Sequence, residues 1–205
     1  MRRKEFAVQD LQEIESFLAE MSFGFLGTVG ADDRPHIKPL NFVYLRDSIY
    51  FHGSRVGQKM DDVKLGTKVT FCVAQEYALI PSYFTDPTFA CPATAFFKSV
   101  LVTGTASIVD DLQEKAEALT AFMTKLQPEG GYDPIDTNNP EYVSRIRGVA
   151  IVRIDIEELS GKFKFGQNLK SDPFDNIVTG LTERGKPLDA ETAALMKKYC
   201  PAHRE

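Results

Sequence analysis

The sequence has few of the residues that build metal centres or disulfide frameworks. Its 205 residues include three cysteines, three histidines and no tryptophan. Cys72, Cys91 and Cys200 stand far apart, without a Cys-x-x-Cys pair or a Cys/His ligand spacing, so we expect neither a zinc site nor a disulfide framework. Cys72 lies in the apolar segment VTFCVA, which predicts a core position for its thiol.

Basic blocks and long apolar runs are also lacking. The formal net charge is -5, so no global basic field would attract nucleic acid or an acidic membrane surface. No apolar segment approaches the length of a membrane span, and the basic start MRRKEF is not followed by the apolar stretch of a secretory signal. We therefore expect a protein of the reducing cytoplasm, without nucleic-acid or membrane partners.

Short strand patterns joined by tight turns dominate the first half of the chain. After an amphipathic helix over residues 8–21, the segments FGFLGTVG, HIKPLNFVYL and SIYFHG each favour a strand. The turns between them are short, which is typical of an antiparallel meander. A short helix is expected in VGQKMDDVKLG, and the strand pattern returns in KVTFCVAQE.

The second half continues with long strands and inserted helices. Residues 78–94 indicate a loop, AFFKSVLVTGTASIV a long strand, and DDLQEKAEALTAFMTKL an amphipathic helix. A loop of turn formers precedes the strand GVAIVRIDIEEL, which GKFKFGQN continues, and the tail is helical between residues 189 and 199. Six or seven strands in hairpin succession, with helices inserted rather than alternating, predict a mainly β fold: a closed antiparallel barrel with flanking helices.

The segment HGSRVGQK, residues 52–59, offers groups that suit a phosphate. Gly53 and Gly57 allow the backbone to approach a ligand closely, and Arg55 and Lys59 supply positive charge. A serine hydroxyl and the N-terminus of the following helix would add donors at the same place. The spacing differs from the Walker pattern and no βαβ unit surrounds it, so a plain strand-to-helix turn remains the alternative.

A proline interrupts the neighbouring strand at Lys38-Pro39-Leu40-Asn41. Proline cannot donate to a strand ladder, so this strand is expected at a sheet edge or a bulge. Main-chain groups left unpaired there would be able to hydrogen-bond a flat heterocycle. The alternative is that the proline only protects an edge from wrong pairing.

Four separated blocks of the sequence resemble one known family. GFLGTVG, PHIKPLNFVY and IYFHGSRVGQK stand in the order and spacing typical of the flavin mononucleotide (FMN)-binding split barrels related to pyridoxamine 5'-phosphate oxidase. FFKSVLVTG, followed by an acidic-start helix, fits as well, and the resemblance covers roughly residues 1–155. The chain is most similar to the branch of the Nim-type nitroimidazole-resistance proteins. LSGKFKFGQN and IVTGL resemble the close of a second branch, the PaiB-like proteins.

The resemblance implies a six- to seven-stranded antiparallel split barrel that forms a homodimer, with one FMN in each of two clefts at the subunit interface. It implies an FMN-binding domain over residues 1–160 and a C-terminal extension over 161–205, which packs on the barrel or on the partner subunit. Residues 38–41 would line the edge of the flavin ring, and the turn would hold the phosphate. Carried over in full, the cofactor-binding residues are Lys38, Pro39, Leu40, Asn41, His52, Gly53, Ser54, Gln58, Lys59, Lys98 and Ser99.

The family further implies an FMN-dependent oxidoreductase. Hydride chemistry belongs to the flavin, which agrees with a sequence that shows no catalytic triad, metal cluster or carboxylate pair. The expected donor is a reduced nicotinamide and the expected acceptor a small electron-poor molecule, whose identity the sequence does not indicate. His52 is the one candidate catalytic residue, as a proton donor, and its alternative role is a hydrogen bond to phosphate or backbone.

The alternative function is a non-catalytic module that binds or senses FMN, a deazaflavin or haem. Haem would need an axial ligand, for which His36 and His52 are the candidates, since His203 lies in the tail. A regulatory role like that of the PaiB-like proteins is a third interpretation, but the acidic charge argues against direct DNA binding. Tyr83 or Phe84 would stack near the flavin or pack at the dimer seam, and we favour packing.

Overall fold

The computed structural model describes residues 3–66 and 68–200. The α-helices are α1 (Leu11–Glu20), α2 (Gln58–Leu65), α3 (Leu112–Leu126), α4 (Pro140–Gly148), α5 (Ser171–Arg184) and α6 (Asp189–Tyr199). The strands are β1 (Ala7–Val8), β2 (Phe23–Val29), β3 (Pro35–Asn41), β4 (Val43–Leu45), β5 (Ser48–Gly53), β6 (Lys68–Ile80), β7 (Thr94–Ile108) and β8 (Ala150–Lys164). Short 3-10 helices span Lys4–Phe6 and Ser82–Phe84. Within these residues, no helix is both long and apolar enough to cross a lipid bilayer.

The strands pair in the order β3-β2-β6-β7-β8-β5-β4, and β1 also pairs with β8. Every pairing whose register is described is antiparallel. The prediction of a mainly β, antiparallel split barrel with flanking helices is thus confirmed. The described residues form eight strands where six or seven were predicted, because β1 was not foreseen and one predicted strand is divided. β3 lies at one end of the order, which confirms the edge position predicted for Pro39.

The divided strand is HIKPLNFVYL, which the structure separates into β3 and β4 at Phe42. The Phe42 side chain is fully buried, and its ring lies edge-on to Phe71 at a centroid distance of 5.1 Å. Its N–H bonds to the Ser22 carbonyl at 3.3 Å instead of joining a ladder. Burial of this ring therefore coincides with the break in the strand.

Two helices, α4 and α5, were not predicted. α4 begins where the Asn139 side chain accepts a hydrogen bond from the Glu141 N–H, so turn-forming residues that indicated a loop act instead as a helix cap. α5 buries Phe174, Ile177 and Leu181, which follow each other at helical spacing. β6 is also longer than predicted, so the first residues of the expected loop are part of a strand.

The chain divides into two compact units. The second unit comprises Asp10–Val73 and Val100–Ser160, with α1 to α4 and most of the strands. Its core includes Leu18, Leu26 and Phe51, all fully buried. Cys72 is only partly buried, so the prediction of a core position for this thiol is wrong. Its register partner on β2 is an exposed phenylalanine, which places Cys72 on the outer face of the sheet.

The first unit joins the residues up to Gln9, the segment Ala74–Ser99 and the chain from Gly161 onward. Aromatic rings form its core. Phe165 stacks on Tyr199 with a centroid distance of 5.6 Å and meets Tyr77 edge-on at 5.4 Å. The aromatic stacking anchors the end of β8 to α6, an element of the C-terminal tail.

Candidate functional site

The turn predicted to hold a phosphate connects β5 to α2 in the second unit. Gly57, the residue before α2, has a φ of 108°, which side-chain-bearing residues rarely adopt. The Val56 N–H donates to the Ser54 hydroxyl at 3.2 Å, and Arg55 donates to the Arg147 carbonyl at 2.8 Å. Ser54 and Arg55 therefore hold the shape of the turn.

The N-terminus of α2 is left open by this turn. Gly57 provides no side-chain cap, while the N–H groups of Met60 and Asp61 bond to the Gly57 carbonyl. The N–H groups of Gln58 and Lys59 precede these bonds, at the positive end of the helix dipole. Donors and partial positive charge thus face the same side as the turn.

Lys59 places a cation directly over the main chain of this turn. Its ammonium lies 5.1 Å from the centre of the Phe51 ring and 3.5 Å from the His52 carbonyl. A Cβ at Gly53 would stand 2.7 Å from the ammonium, so the missing side chain makes room for the cation. Burial, together with the nearby charge of Lys38, lowers the pKa of Lys59. Within the described residues the Lys59 ammonium forms no ion pair with a carboxylate.

His52 is exposed on one side and packs edge-on against Phe122 on the other, with a centroid distance of 4.7 Å. Loss of hydration and the charge of Lys59 both lower its pKa from the usual value of 6.5. Both effects favour the neutral form of the imidazole. A neutral imidazole suits a hydrogen-bonding role better than that of a proton donor.

A buried carboxylate that sequence reasoning missed connects these elements. Asp62 on α2 is 3% exposed and accepts hydrogen bonds from the Thr28 hydroxyl at 2.8 Å and from Lys38 at 2.6 Å. It also meets His36 Nδ1 at 2.8 Å. The Gln58 amide lies 3.3 Å from His36 Nε2. The predicted residues Lys38, on β3, and Gln58, at the turn, are thereby brought into one network.

The network sets the charge of this region. Burial alone would raise the pKa of Asp62, yet the hydrogen bonds from Lys38, His36 and Thr28 together lower it to about 2. The carboxylate is thus ionised at neutral pH and neutralises Lys38. No signal in the sequence pointed to Asp62, because Thr28 and Lys38 are far from it along the chain and meet it only in the fold.

The other predicted cofactor residues lie in different places. Pro39 is exposed on edge strand β3, Leu40 is buried, and the Asn41 amide donates to the Ser22 carbonyl at 2.9 Å. Lys98 and Ser99 belong to the first unit, on β7. There the Lys98 ammonium lies over the rings of Tyr77 and Phe163, at 5.1 and 5.3 Å. The assignment of these residues to a flavin remains a prediction.

The residues fit haem poorly. Both ring nitrogens of His36 are engaged, one by Asp62 and the other by Gln58, so His36 offers no free axial ligand. His52 carries the remaining haem alternative, because His203 lies outside the described residues. Phe84 of the predicted covering loop packs on Gly180 in the first unit, where a Cβ would stand 2.8 Å from its ring.

Comparison with known proteins gives a family and a fold. A sequence model of the family described as pyridoxamine 5'-phosphate oxidase matches residues 10–163. The chain is 26% identical over 209 residues to protease synthase and sporulation protein PAI 2 of Bacillus subtilis (strain 168), with 95% of each chain covered.

Two solved structures illustrate the shared fold. A candidate 5-nitroimidazole antibiotic resistance protein from Bacteroides thetaiotaomicron matches with a TM-score of 0.61 and 21% identity, over 76% of this chain and 85% of that one. The FAD and heme binding protein from Mycobacterium smegmatis matches with a TM-score of 0.64 and 15% identity, over 85% of this chain and 80% of that one.

Proposed function

Because the chain belongs to the pyridoxamine 5'-phosphate oxidase family, as its sequence resemblance predicted, we propose that it binds FMN and acts as an FMN-dependent oxidoreductase. The observation that carries this proposal is the Lys59 ammonium, which is half-buried over Gly53 and has no carboxylate partner in the described residues. A phosphate is the group that this cation and the open start of α2 suit best.

The neighbouring charges favour an anion at Lys59 rather than at Lys38. Asp62 already neutralises Lys38 at 2.6 Å, whereas Lys59 keeps its charge and is destabilised by burial and by Lys38. A phosphate beside Lys59 would remove that destabilisation. The N–H groups of Gln58 and Lys59 would complete its hydrogen bonds.

When bound, FMN supplies the hydride chemistry, and the chain binds and orients the cofactor. Residues 38–41 lie on β3, at one end of the strand order, where main-chain groups that join no further strand would be able to hydrogen-bond the flavin ring. We assign His52 to cofactor binding, because it borders the turn and its carbonyl lies 3.5 Å from the Lys59 ammonium. We propose a reduced nicotinamide as donor and a small electron-poor molecule as acceptor.

We further propose that the protein is a homodimer that joins through the outer face of β2, β3, β6 and β7. In the second unit this face exposes Phe25, Val29, Ile37 and Leu101, and Ile37 is 72% exposed. A contiguous apolar face of this kind is typical of an association surface. In the family to which the chain belongs, the resemblance implies an FMN cleft at such an interface.

The first experiment is the visible absorption spectrum of the purified chain, before and after FMN is added and then after a reduced nicotinamide is added. A bound-flavin spectrum that bleaches with the nicotinamide supports the oxidoreductase. A Soret band, or a flavin spectrum that does not bleach, would favour the non-catalytic binding module instead.

The second experiment compares Lys59→Met with Lys64→Met by titration with FMN. Lys64 is exposed on the last turn of the same helix, so its replacement is a matched control. Loss of a charged phosphate contact is expected to weaken binding by about 1.5–3 kcal/mol, which is roughly tenfold or more in Kd. An FMN affinity that is unchanged in Lys59→Met would show that the turn does not hold the phosphate.

A further inference from the structure

A cavity in the first unit lies apart from every residue assigned to FMN so far. Its volume is about 740 Å³, within the usual range for small-molecule sites. The end of β8, the start of β7, the loop before it and the first turns of α5 form its walls. Its lining combines three cations, Arg3, Lys162 and Lys164, with the aromatic rings of Phe6, Phe96 and Phe97.

The cations converge on one side of the sheet. Lys162 and Lys164 stand two positions apart on β8 and therefore share a face. The Lys162 ammonium lies 5.2 Å from the centre of the Phe97 ring, and the Lys164 ammonium donates to the Thr94 hydroxyl. The Arg3 guanidinium lies 5.8 Å from the centre of its own aromatic neighbour, Phe6.

This face is opposite to the one that carries the predicted cofactor residue Lys98. Phe97 and Lys98 are successive residues of β7, so their side chains point to opposite faces. Lys162 lies over Phe97, whereas Lys98 lies over Phe163. The Lys162 and Lys98 ammonium groups therefore lie on opposite faces of the sheet, and Lys98 is not among the residues that line the cavity.

The positive charge in the cavity is not balanced. The lining contains one carboxylate, Asp86, whose Oδ1 accepts the N–H groups of Thr88 and Phe89. In the part of the chain that the structure describes, none of the three cations forms an ion pair with a carboxylate. Burial and then the charges of Lys162 and Arg3 lower the pKa of Lys164, as expected for like charges held together.

The backbone at the end of β8 is held by side-chain hydrogen bonds, so the strand that carries Lys162 and Lys164 is positioned before any ligand arrives. The Gln167 side chain is buried, accepts from the Phe165 N–H at 2.7 Å and donates to the Phe163 carbonyl at 2.7 Å. Gly166 has a φ of 81°, and a Cβ there would stand 2.9 Å from Leu169. A backbone held in this way loses little conformational entropy on binding.

We propose that this cavity is a second small-molecule site, which binds a compact aromatic dianion. The three cations and one carboxylate leave a formal charge of +2 on the lining, which a dianion balances and a monoanion does not. The rings of Phe6, Phe96 and Phe97 provide the apolar walls against which a planar body packs. A phosphate monoester and a dicarboxylate share this chemistry, and the experiment below separates them.

The test is calorimetric titration of the full chain, with and without added FMN, against four ligands that carry the same ring. Benzyl alcohol is neutral, benzoate is a monoanion, and phthalate and phenyl phosphate are close to dianions at neutral pH. We expect each recognised dianion to bind about tenfold or more tightly than benzoate, because of the added charged contacts. Binding of both dianions supports a general dianion site, and binding of one alone identifies the source as carboxylate or phosphate.

Two outcomes of this titration would overturn the proposal. The first is that neither dianion binds more tightly than benzoate. The second is that FMN displaces phenyl phosphate and phthalate, which would make the cavity part of the flavin site. If the chain did not bind FMN at all, the titration with the four ligands of different charge would still test the cavity. The two proposals can therefore be contradicted independently.

Variants assign the binding to the cations. The Lys162→Met/Lys164→Met double variant is expected to lose the preference for dianions, whereas Lys197→Met, an exposed lysine on α6, is expected to keep it. Circular dichroism checks that each variant is folded. If the double variant does not fold, the single variant Lys162→Met is tested in its place, because methionine keeps an apolar contact with Phe97. Dianion affinity equal to wild type in the folded variant would contradict the proposal.

Discussion

At position 53 the absence of a side chain lets a lysine ammonium lie against the main chain. A Cβ atom on residue 53 would lie only 2.7 Å from the Lys59 ammonium nitrogen. The obstacle is the far end of a flexible side chain, which moves at little cost to the fold. Folding and ligand binding should therefore respond differently to a change at this position.

We predict that Gly53→Ala weakens FMN binding about tenfold, because the ammonium must leave its position near the phosphate. The free energy of unfolding should change by less than about 1 kcal/mol, since only a mobile side-chain tip is displaced. FMN titration and chemical denaturation measure the two quantities. A variant that lost stability but kept its FMN affinity would contradict this account of Gly53.

Replacement of Asp62, unlike that of Gly53, is predicted to have a large effect on the free energy of unfolding. Asp62→Asn leaves Lys38 and His36 without the buried charge that they contact, which should cost about 3 kcal/mol of unfolding free energy. Asp61→Asn, on the exposed neighbour, is the matched control. Because the folded pKa of Asp62 is lowered to about 2, its stabilisation is present above the unfolded value of 3.8 and is lost as the pH falls towards 2.

Denaturation at several pH values checks this. The difference in unfolding free energy between wild type and Asp62→Asn should be constant near neutral pH and should shrink between about pH 4 and pH 2. A difference that did not depend on pH in this window would show that the charge of Asp62 is not what stabilises the network.

These residues also show what sequence reasoning could reach at this scale. Gly53 and Lys59 were identified because turn glycines and a basic residue follow each other within one short segment. Asp62 was missed because its role in the hydrogen-bond network depends on Thr28 and Lys38, which lie on the strands β2 and β3. A side chain whose hydrogen bonds are made to residues far away in the sequence produces no periodic pattern in its own segment.

At the scale of the elements, β7 and β8 approach each other closely at Gly104. A Cβ there would stand 2.2 Å from the backbone oxygen of Asp155, and a backbone atom cannot move aside as a side-chain tip can. This is a strand glycine whose purpose is close approach rather than a turn.

We predict that Gly104→Ala lowers the unfolding free energy by about 3 kcal/mol, at the upper end of what overpacking costs. For a chain of this length, that corresponds to a fall in Tm of roughly 6–12 °C. Gly66→Ala is the control, because nothing lies within 4 Å of a Cβ at that position and its φ is -139°. Equal Tm values for the two variants would contradict the close approach of the strands.

The short helix α2 and the tail helix α6 were predicted, as were the elements with a strong local period. α1, α3 and the long strands follow from the spacing of their apolar residues. α4 was missed although its cap, Asn139 followed by Pro140, is present in the sequence, because the same residues also favour turns. α5 has apolar residues at helical spacing, but few of them, and its burial against the rest of its unit decides its structure.

For the whole molecule, the proposed homodimer depends on the exposed apolar face of the second unit. We predict that the wild-type chain is a dimer by light scattering and that Ile37→Glu shifts it towards the monomer, because a charge on the most exposed residue of that face opposes its burial. Leu126→Glu, at an exposed apolar residue on the last turn of α3, outside this face and outside the phosphate turn, is the control. A wild-type monomer would contradict the homodimer.

Cys72 lies on that same face, opposite Phe25 in the ladder between β2 and β6. Its thiol is half-buried, and burial raises its pKa, so even in a lone subunit it reacts slowly with alkylating reagents. In a dimer joined through this face the thiol would be reached only while the subunits are apart. The alkylation kinetics of one cysteine would then measure how often two subunits separate, which no equilibrium mass measurement reveals.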